Sequence, residues 1–380
     1  MVENYIKLQQ VLGVGSVKTA RVFEKFGNPD NIFKSDEETL AESRVLSFNE
    51  LRRVEKLRNT DVSDILRDCE NNGIEIITFG DKRYPYCLSV IDSPPVLLYV
   101  KGKLPDFDNI PTACIVGPRK VSDYGRKAAY SLARRLALSG FNIVSGGALG
   151  ADSAAHIGAL KVGGKTSLVM GCGLLSDYLK VNEQLRNAVA ASGCLISEFS
   201  PKQPAGRATF PVRNRIMSGL SLCTVVVEAK SHSGSLITAR YAAEQGRDVF
   251  VIPGAVTSPD YEGSNALLRD GAKPLIDLSD IFNEYIPRFP DKIDLKKAYE
   301  KHNTEVREKT EQGVNKKLSI ETLSKNAKIV YNHLDKHRFY PEEIKDTGLE
   351  PSEIIAALTE LEIELMIRSV PGGCYELINK

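Results

Sequence analysis

Residues 114–156, CIVGPRKVSDYGRKAAYSLARRLALSGFNIVSGGALGADSAAH, decide the fold class of this chain. Two apolar runs, one ending at Val116 and one covering 141–144, each lead into a loop with glycine or basic residues. Between them, apolar side chains recur every four positions from Ala128 to Leu136, which is the spacing of one helix face. The pattern predicts a strand, a helix and a second strand, followed by another helix.

Short apolar runs of the same kind occur on both sides of this unit. They cover 74–79, 96–100, 166–170, 194–197, 222–227 and 249–252. Helical stretches separate most of them, and this alternation predicts an α/β fold with a doubly wound, mostly parallel sheet. Residues 223–227 are almost continuously apolar, as expected of a strand whose two faces are both covered.

Composition and charge narrow the class of protein. The 380 residues, 42% of them hydrophobic, suit a globular chain of two or three domains. Basic and acidic residues nearly cancel, 50 against 49, but residues 117–135 hold six Arg or Lys against one Asp.

The seven cysteines are scattered, so we expect neither a metal site nor disulfides. Because no signal core and no run of 18 apolar residues occurs, we expect a cytoplasmic protein that does not contact a membrane.

The first 62 residues are expected to form a small helical domain, and residues 63–289 the α/β domain. Two helical patterns are joined by Gly13-Val14-Gly15, and such a hairpin resembles the helix-hairpin-helix motif, whose amides hold a DNA backbone phosphate. The alternative is a helical module that uses its glycines only for a tight turn. We describe the domain as SAM/helix-hairpin-helix-like.

The C-terminal part of the chain changes in composition. Residues 290–325 are dense in Lys, Glu, Asn and Thr, which indicates a charged, exposed linker. Residues 326–380 show three short helical patterns, the second at 341–345, and two apolar runs around Pro371-Gly372-Gly373. This order predicts a winged helix-turn-helix domain. Its third helix carries several glutamates that would repel phosphate, so we expect a protein-contact or vestigial domain rather than a duplex reader.

The two loops of the central unit are candidate anion-binding sites. The first begins at Gly117 and the second runs from Ser145 to Gly150, and both join the end of a strand to the start of a helix. Free backbone amides at that edge of a parallel sheet favour phosphate groups. No Gly-x-Gly-x-x-Gly motif occurs, and a near match to the P-loop at 158–166 has the wrong spacing and enters a strand. We therefore expect no nucleotide cofactor.

Further segments are expected at the same edge of the sheet. Arg213, Asn214 and Arg215 lie in the first turn of a helix, where cations oppose the helix dipole and so indicate an anionic partner. The segment 228–235 follows the most apolar strand and contains Lys230 and His232. The basic residues that we expect to form a phosphate-binding rim are Arg119, Lys120, Arg213, Arg215 and Lys230.

Few residues suggest catalysis. Asp152 and His156 are four apart on one helix face and could act as an acid and a base. An Asp in a first turn is more often a cap, however, and such a His is more often a packing residue. Glu198 and Glu228 end strands at the same edge without a recognisable nucleophile or paired carboxylate. We therefore expect a binding protein that is not an enzyme and has no catalytic residues.

Several motifs of this chain occur together in one known family. They are Gly117-x-Arg119-x4-Tyr124-Gly125, Ser145-Gly146-Gly147-Ala148-x-Gly150-x-Asp152-x3-His156, Phe210-Pro211-x-Arg213-Asn214-Arg215-Ile216, Val227-Glu228-Ala229 with Ser233-Gly234-Ser235, and Gly246-Arg247-Asp248-Val249-Phe250-x-Ile252-Pro253-Gly254. The register continues through Gly263-Ser264-Asn265-x-Leu267-Leu268. In these motifs the chain resembles the DNA-processing protein A family, DprA or Smf.

This resemblance implies an extended Rossmann-like domain that binds single-stranded DNA in a basic pocket, usually as a homodimer. Family members protect incoming DNA during natural transformation and help to load the RecA recombinase, which would be a partner of this chain. The family's pocket residues correspond here to Arg119, to Ser145, Gly146, Gly147 and Gly150, and to Ser233, Gly234 and Ser235. The dimer contacts would fall around Asn265, Leu267 and Leu268.

Two departures from the family pattern bear on the affinity for DNA. Pro118 stands where Ser is common and lacks an N–H that could bind phosphate. His232 stands where a basic residue is frequent, so its contact with DNA would be weaker or dependent on pH.

Two other functions remain as alternatives. A nucleotide-processing enzyme of the phosphoribohydrolase type would carry a Pro-Gly-Gly-x-Gly-Thr-x-x-Glu motif, which is absent from 227–236. A regulator acting through the winged helix would require duplex binding by residues 326–380, against the charge of their third helix.

Overall fold

The computed structural model describes residues 2–178, 180–299, 323–334, 336–363, 366–370 and 374–377. The chain divides into two compact units, Met1–Glu300 and Lys301–Lys380. Within the described ranges no helix is both long and apolar enough to cross a lipid bilayer.

The first unit combines a nine-stranded sheet with helices. Its strands are β1 (Ile74–Thr78), β2 (Leu97–Gly102), β3 (Thr112–Val116), β4 (Asn142–Ser145), β5 (Thr166–Val169), β6 (Cys194–Ser197), β7 (Cys223–Val226), β8 (Asp248–Val251) and β9 (Lys273–Pro274). Its helices are α1 (Val2–Leu12), α2 (Thr19–Phe26), α3 (Pro29–Lys34), α4 (Glu37–Glu42), α5 (Phe48–Arg58), α6 (Ser63–Asn71), α7 (Tyr86–Ser89), α8 (Asp123–Leu138), α9 (Ala151–Leu160), α10 (Glu183–Ser192), α11 (Thr209–Gly219), α12 (Gly234–Glu244), α13 (Glu262–Arg269) and α14 (Ser279–Tyr285).

The sheet has the order β1-β2-β6-β5-β4-β3-β7-β8-β9. Strand β2 is antiparallel to both of its neighbours, and the pairs from β6 to β9 are all parallel. The predicted α/β fold with a mostly parallel sheet is therefore confirmed. The chain moves from β3 outward in both directions, so the carboxyl ends of β3 and its neighbours form the crevice where such sheets bind ligands.

Both faces of the sheet are covered. Ile115 of β3 faces a core that includes Leu136 of α8 and Phe282 of α14. Its neighbour Val116 faces the opposite core, which includes Ile216 and Met217 of α11. This alternation explains why the central strands are apolar at successive positions.

The N-terminal helices pack directly on the sheet unit. Ile6 of α1 is fully buried and shares a core with Tyr99 of β2 and Leu168 of β5. The Gln9 Nε2 atom donates a hydrogen bond of 2.6 Å to the backbone carbonyl of Glu198. Helix α1 therefore contributes to the same folded body as the strands.

The segment predicted as a linker, 290–325, is only partly described. Residues 295–299 are helical, and Ile293 and Ala298 are buried in the core that contains Phe282. The beginning of this segment therefore packs against the sheet unit, while residues 300–322 lie outside the described residues.

The second unit contains two described α-helices and a three-stranded sheet. They are α15 (Lys325–His333), β10 (Arg338–Phe339), α16 (Pro351–Ile363), β11 (Ile367–Val370) and β12 (Cys374–Leu377), in the sheet order β10-β12-β11. The helix expected at 341–345 is wrong, because Pro341–Glu343 forms a single 3₁₀ turn. The Glu343 carboxylate accepts the Tyr340 amide at 2.9 Å, and Asp346 at φ 60° is incompatible with a continuing helix. Pro371-Gly372-Gly373 lies outside the described residues.

Candidate nucleic-acid interface

The loops after β3 and β4 touch each other at the carboxyl edge of the sheet. The Ala151 amide donates to the Pro118 carbonyl at 3.3 Å. Gly150 has φ +85°, and a Cβ atom there would lie 2.4 Å from the Arg119 carbonyl oxygen and 2.5 Å from that of Pro118. Glycine is therefore required at this position both by its backbone conformation and by the close approach of the two loops.

We expect Gly150→Ala to lower the free energy of unfolding by at least about 2 kcal/mol, because backbone strain and a backbone clash add together. Gly163→Ala is the matched control, since Gly163 has φ +65° and none of the described neighbouring atoms lies within 4 Å of the place that a Cβ would occupy. It should cost only about 1 kcal/mol. Urea unfolding of both variants makes the comparison, and equal losses would contradict the tight loop contact.

Arg119 lies on an aromatic platform, which we define as the rings of Phe210 and Tyr178. Its guanidinium carbon is 5.2 Å from the centre of the Phe210 ring, and the Phe210 and Tyr178 ring centres are 5.2 Å apart. Arg119 and Lys120 are both exposed. Phe210 was quoted from the sequence only as part of a motif, and no role in the site was predicted for Tyr178. The available signal was an aromatic residue three positions before Arg213, beside a predicted phosphate site.

Arg213 lies beneath the loops rather than on the rim that the sequence predicted. Its side chain is buried, and its Nη1 atom donates to the Gly146 carbonyl at 2.8 Å and to the Val169 carbonyl. Burial lowers the pKa of Arg213, an effect that the nearby Asp152 opposes. Because its Nη1 atom bonds the carbonyls of Gly146, just after β4, and Val169, the last residue of β5, Arg213 holds the ends of these two strands together from inside.

Arg215 is also buried, contrary to its predicted place on the rim. It forms an ion pair of 2.6 Å with Glu198, and both side chains are only 3% exposed. The predicted place of these cations in the first turn of the helix is wrong, because α11 begins at Thr209, four residues before Arg213. The anionic partner of Arg215 is a carboxylate of the protein itself.

The loop after β7 presents polar groups at the start of α12. Ser233 is the N-cap of α12, and its hydroxyl lies 2.7 Å from that of Ser235. Gly234 is exposed, and the Asn214 Nδ2 atom donates to its carbonyl at 3.4 Å. This contact joins α11 to the Ser-Gly-Ser turn at the N-terminus of α12, where the Ser233 amide donates to the Lys230 carbonyl at 3.0 Å and the Ser235 amide to the Ser233 hydroxyl at 3.4 Å.

Lys230 and His232 extend the polar surface of this loop. Both side chains are exposed. Lys230 forms an ion pair of 3.0 Å with Asp260, and the two side chains are 62% and 38% exposed. Such an exposed pair is weak and can exchange its carboxylate for a phosphate.

Glu228 fixes the loop after β3 from below. Its carboxylate accepts the Ser122 amide at 3.2 Å and the Tyr261 hydroxyl at 3.3 Å. A Cβ atom on Gly125 would lie 2.4 Å from Glu228 Oε2, so the first turn of α8 closes over this carboxylate. Glu228 therefore orders the helix start that follows Arg119.

Asp152 and His156 have structural partners. Asp152 accepts the Ala148 amide at 3.3 Å, and burial raises the pKa of its carboxyl group. The His156 Nδ1 atom lies 2.7 Å from the Thr166 hydroxyl, and burial lowers the pKa of His156 to about 3. His156 is consequently neutral near neutral pH, and both residues support the loop after β4.

The remaining predicted site residues divide into surface and interior positions. Gly117, Gly146 and Gly150 are half-buried, whereas Ser145, Gly147 and Ser235 are buried. The Ser145 hydroxyl donates to the Ile115 carbonyl at 2.7 Å and so joins β4 to β3. Asn182, which the sequence analysis missed, donates to the Gly147 carbonyl at 3.0 Å.

The predicted dimer residues lie on and beside α13. Asn265 exchanges two hydrogen bonds with the Gly254 backbone, at 3.2 and 3.4 Å. Leu267 and Leu268 are half-buried against the core. An open cleft of about 690 Å³ lies beside Asn265 and Leu267.

The chain is similar to known proteins over most of its first unit. Residues 75–286 match the sequence model of a family described as DNA recombination-mediator protein A. Protein Smf from Synechocystis sp. is 35% identical over 276 residues, which are 72% of this chain and 69% of that protein. The match therefore extends beyond the sheet itself.

Two solved structures share the fold. The crystal structure of DNA processing protein A from Streptococcus pneumoniae is 34% identical, with a TM-score of 0.66, and covers 74% of this chain and 97% of that chain. A structure of DNA processing protein A from Helicobacter pylori, described for its single-stranded DNA binding mode, is 28% identical, with a TM-score of 0.51. It covers 57% of this chain and 98% of that chain. On the family match, the relative and these structures, this chain belongs to the DNA recombination-mediator protein A family, DprA/Smf.

Proposed function

We propose that this protein binds single-stranded DNA at the carboxyl edge of its sheet. The observation that carries the proposal is the exposed Arg119 guanidinium over the Phe210 ring of the aromatic platform. The related Helicobacter pylori structure, described for single-stranded DNA binding, supports the same ligand class.

The chemistry of the surface favours a single strand over a duplex. An aromatic ring and an Arg plane can each stack on a base only when that base is free of its partner strand. At the same edge of the sheet, the exposed Arg119, Lys120 and Lys230 and the exposed Gly234 of the Ser233-Gly234-Ser235 turn suit backbone phosphates. Such contacts do not depend on base identity, so the binding should discriminate little between sequences.

In the cell, the proposed role is protection of incoming DNA and loading of RecA during natural transformation and recombination. Membership of the DNA recombination-mediator family supports this role. The protein would act in the cytoplasm, as a homodimer with contacts around Asn265, Leu267 and Leu268. The acidic groups Glu228 and Asp152 are engaged in structural hydrogen bonds, which favours a binding function over a nucleotide-processing enzyme.

We also propose a domain type for each of the two parts of the chain that flank the sheet domain. Residues 326–380 would be a winged helix, supported by the order of α15, α16 and the strands β11 and β12. Residues 1–62 would be a SAM/helix-hairpin-helix-like domain joined to the Rossmann-like domain 63–289. The glutamates of α16 support a protein-contact role for the winged helix.

The full chain should bind a ten-nucleotide single strand more tightly than a duplex of the same sequence. With about three phosphates neutralised, the logarithm of affinity should fall with the logarithm of salt with a slope of about −2. That slope corresponds to about a 16-fold loss between about 50 and about 200 mM salt. Fluorescence anisotropy at several salt concentrations measures both quantities.

A scrambled single strand is the control for sequence discrimination, and it should bind equally well. Tighter binding of the duplex, or affinity that does not respond to salt, would overturn the proposed function. RecA loading is tested in a separate experiment. The chain should speed the assembly of RecA on single-stranded DNA. An unchanged rate would contradict the proposed RecA loading while leaving the proposed DNA binding intact.

A further inference from the structure

The Gly13-Val14-Gly15 hairpin binds a carboxylate of the protein itself. Gly13 and Gly15 have φ values of +82° and +80°, which turn the chain sharply between α1 and α2. The Gly15 amide donates to Glu198 Oε1 at 3.2 Å. Nearby, Gln9 donates to the Glu198 backbone carbonyl at 2.6 Å. The Gly15 amide, which the helix-hairpin-helix comparison would direct at a DNA phosphate, is therefore already used inside the protein.

The same hairpin presses against helix α11. A Cβ atom on Gly15 would lie 2.8 Å from Val212 Cγ1 and 3.8 Å from Arg215 Nε. Glu198, which accepts the Gly15 amide, also holds Arg215 at 2.6 Å. One buried carboxylate thus joins the hairpin to α11 through two different donors, and the glycine allows the two segments to meet without a side chain between them.

Helix α11 carries the central parts of the DNA site. Phe210, in its first turn, lies under Arg119. Arg213, in its second turn, donates hydrogen bonds to the carbonyls of Gly146 and Val169. The residues that contact the hairpin, Val212 and Arg215, alternate with these along the helix. A shift of α11 at the hairpin would therefore move the aromatic platform and the loops after β4 and β5 together.

We propose that the hairpin is a positioning element for the single-stranded DNA site, in which docking of Gly15 on Val212 and Glu198 sets the place of α11. This inference rests on the proposed function. Because coupling between two sites is reciprocal, single-stranded DNA must also strengthen the docking of the hairpin. The hairpin contributes to affinity without touching DNA.

The test compares two glycines of the same hairpin in the full chain. Gly15→Ala introduces backbone strain and a contact with Val212, whereas Gly13→Ala introduces the same strain without a close contact among the described residues. We expect Gly15→Ala to weaken binding of a ten-nucleotide strand about tenfold, within the usual range of coupling between sites, and Gly13→Ala to weaken it less than about twofold. Adding Val212→Ala to Gly15→Ala removes the contacting methyl groups and should restore part of the lost affinity.

A second measurement separates positioning from simple loss of stability. In the unmodified chain, strand binding should slow hydrogen exchange at the Gly15 amide more than at amides that open only by global unfolding, whereas a merely structural hairpin would show only the general slowing that ligand binding causes. If Gly15→Ala does not fold, Gln9→Ala replaces it, because it removes the bond from α1, which leads into the hairpin, to the Glu198 backbone without introducing a clash. A loss of about threefold for Gln9→Ala would then support the inference, and unchanged affinity would overturn it.

The outcomes distinguish the inference from the function on which it rests. Equal DNA affinities for Gly15→Ala and Gly13→Ala would overturn the positioning role while single-strand binding stands. Hydrogen exchange at the Gly15 amide that slows on DNA binding no more than at amides that open only by global unfolding would do the same. An unmodified chain that fails to bind single strands overturns the proposed function and the inference with it.

Discussion

Replacing Arg119 with Ala should weaken single-stranded DNA binding by about 10- to 100-fold. The substitution removes a charged hydrogen bond to phosphate, worth about 1.5–3 kcal/mol, and the cation that stacks on Phe210. Loss of one phosphate contact should also make the salt slope shallower by about 0.7. Since Arg119 is exposed, the free energy of unfolding should change by less than about 1 kcal/mol. Anisotropy titrations and urea unfolding of the same preparation provide these values.

Two further variants show which property of the site matters. Phe210→Leu keeps an apolar side chain but removes the ring, so affinity should fall while the salt slope stays constant. Arg67→Ala removes an exposed Arg of α6 that is paired with Asp64, and its affinity should equal that of the unmodified chain. Full affinity of Arg119→Ala would remove Arg119 from the binding surface.

Much of the fold follows from local sequence pattern. The central strands β3, β4 and β7 lie close to the apolar runs, because a strand covered on both faces must be apolar at nearly every position. The short elements β9 and α7 were not predicted, since two and four residues are too few to show a period. The same limit made the 3₁₀ turn Pro341–Glu343 look like a helix.

The candidate site was predictable in outline, because loops at the ends of parallel strands meet at one edge whatever their sequence. Which of the charged side chains face solvent could not be predicted from the sequence. Arg213 and Arg215 both lie within α11, and each is enclosed by contacts with residues outside that helix. From the sequence, Glu198 was an acidic residue at the carboxyl edge of the sheet with no assigned role. Nothing in its local sequence indicates that the amide of Gly15, 183 residues earlier, donates to its carboxylate. Long-range pairing of this kind is a property of the packed structure.

The Arg215–Glu198 pair should show the largest effect on stability. Arg215→Met leaves the Glu198 carboxylate buried without its cation, which should lower the free energy of unfolding by about 3–5 kcal/mol. Arg240→Met is the matched control, because Arg240 forms an exposed pair with Glu244 at 3.7 Å and should change stability by less than about 0.5 kcal/mol. Urea unfolding near pH 8 gives both values, and similar losses for the two variants would contradict the prediction.

If Arg215→Met does not fold, the double variant Glu198→Gln/Arg215→Met tests whether the unpaired carboxylate causes the loss of stability. It removes both charges, so it should be more stable than Arg215→Met alone. A double variant no more stable than the single one would show that packing at Arg215, and not the unpaired carboxylate, causes the loss.

The pH dependence of Arg215→Met tests the same carboxylate. Burial raises the pKa of Glu198 above its ordinary 4.5, and Arg215 and the Gly15 amide oppose that rise. Between the unfolded and folded pKa values the folded state binds more protons, so stability falls as the pH rises through that interval. Without Arg215 the folded pKa lies higher and the interval widens upward. The stability lost in Arg215→Met, relative to the unmodified chain, should therefore be smaller near pH 5 than near pH 8. Urea unfolding at the two pH values measures this difference, and a loss independent of pH would mean that the Glu198 charge is not its cause.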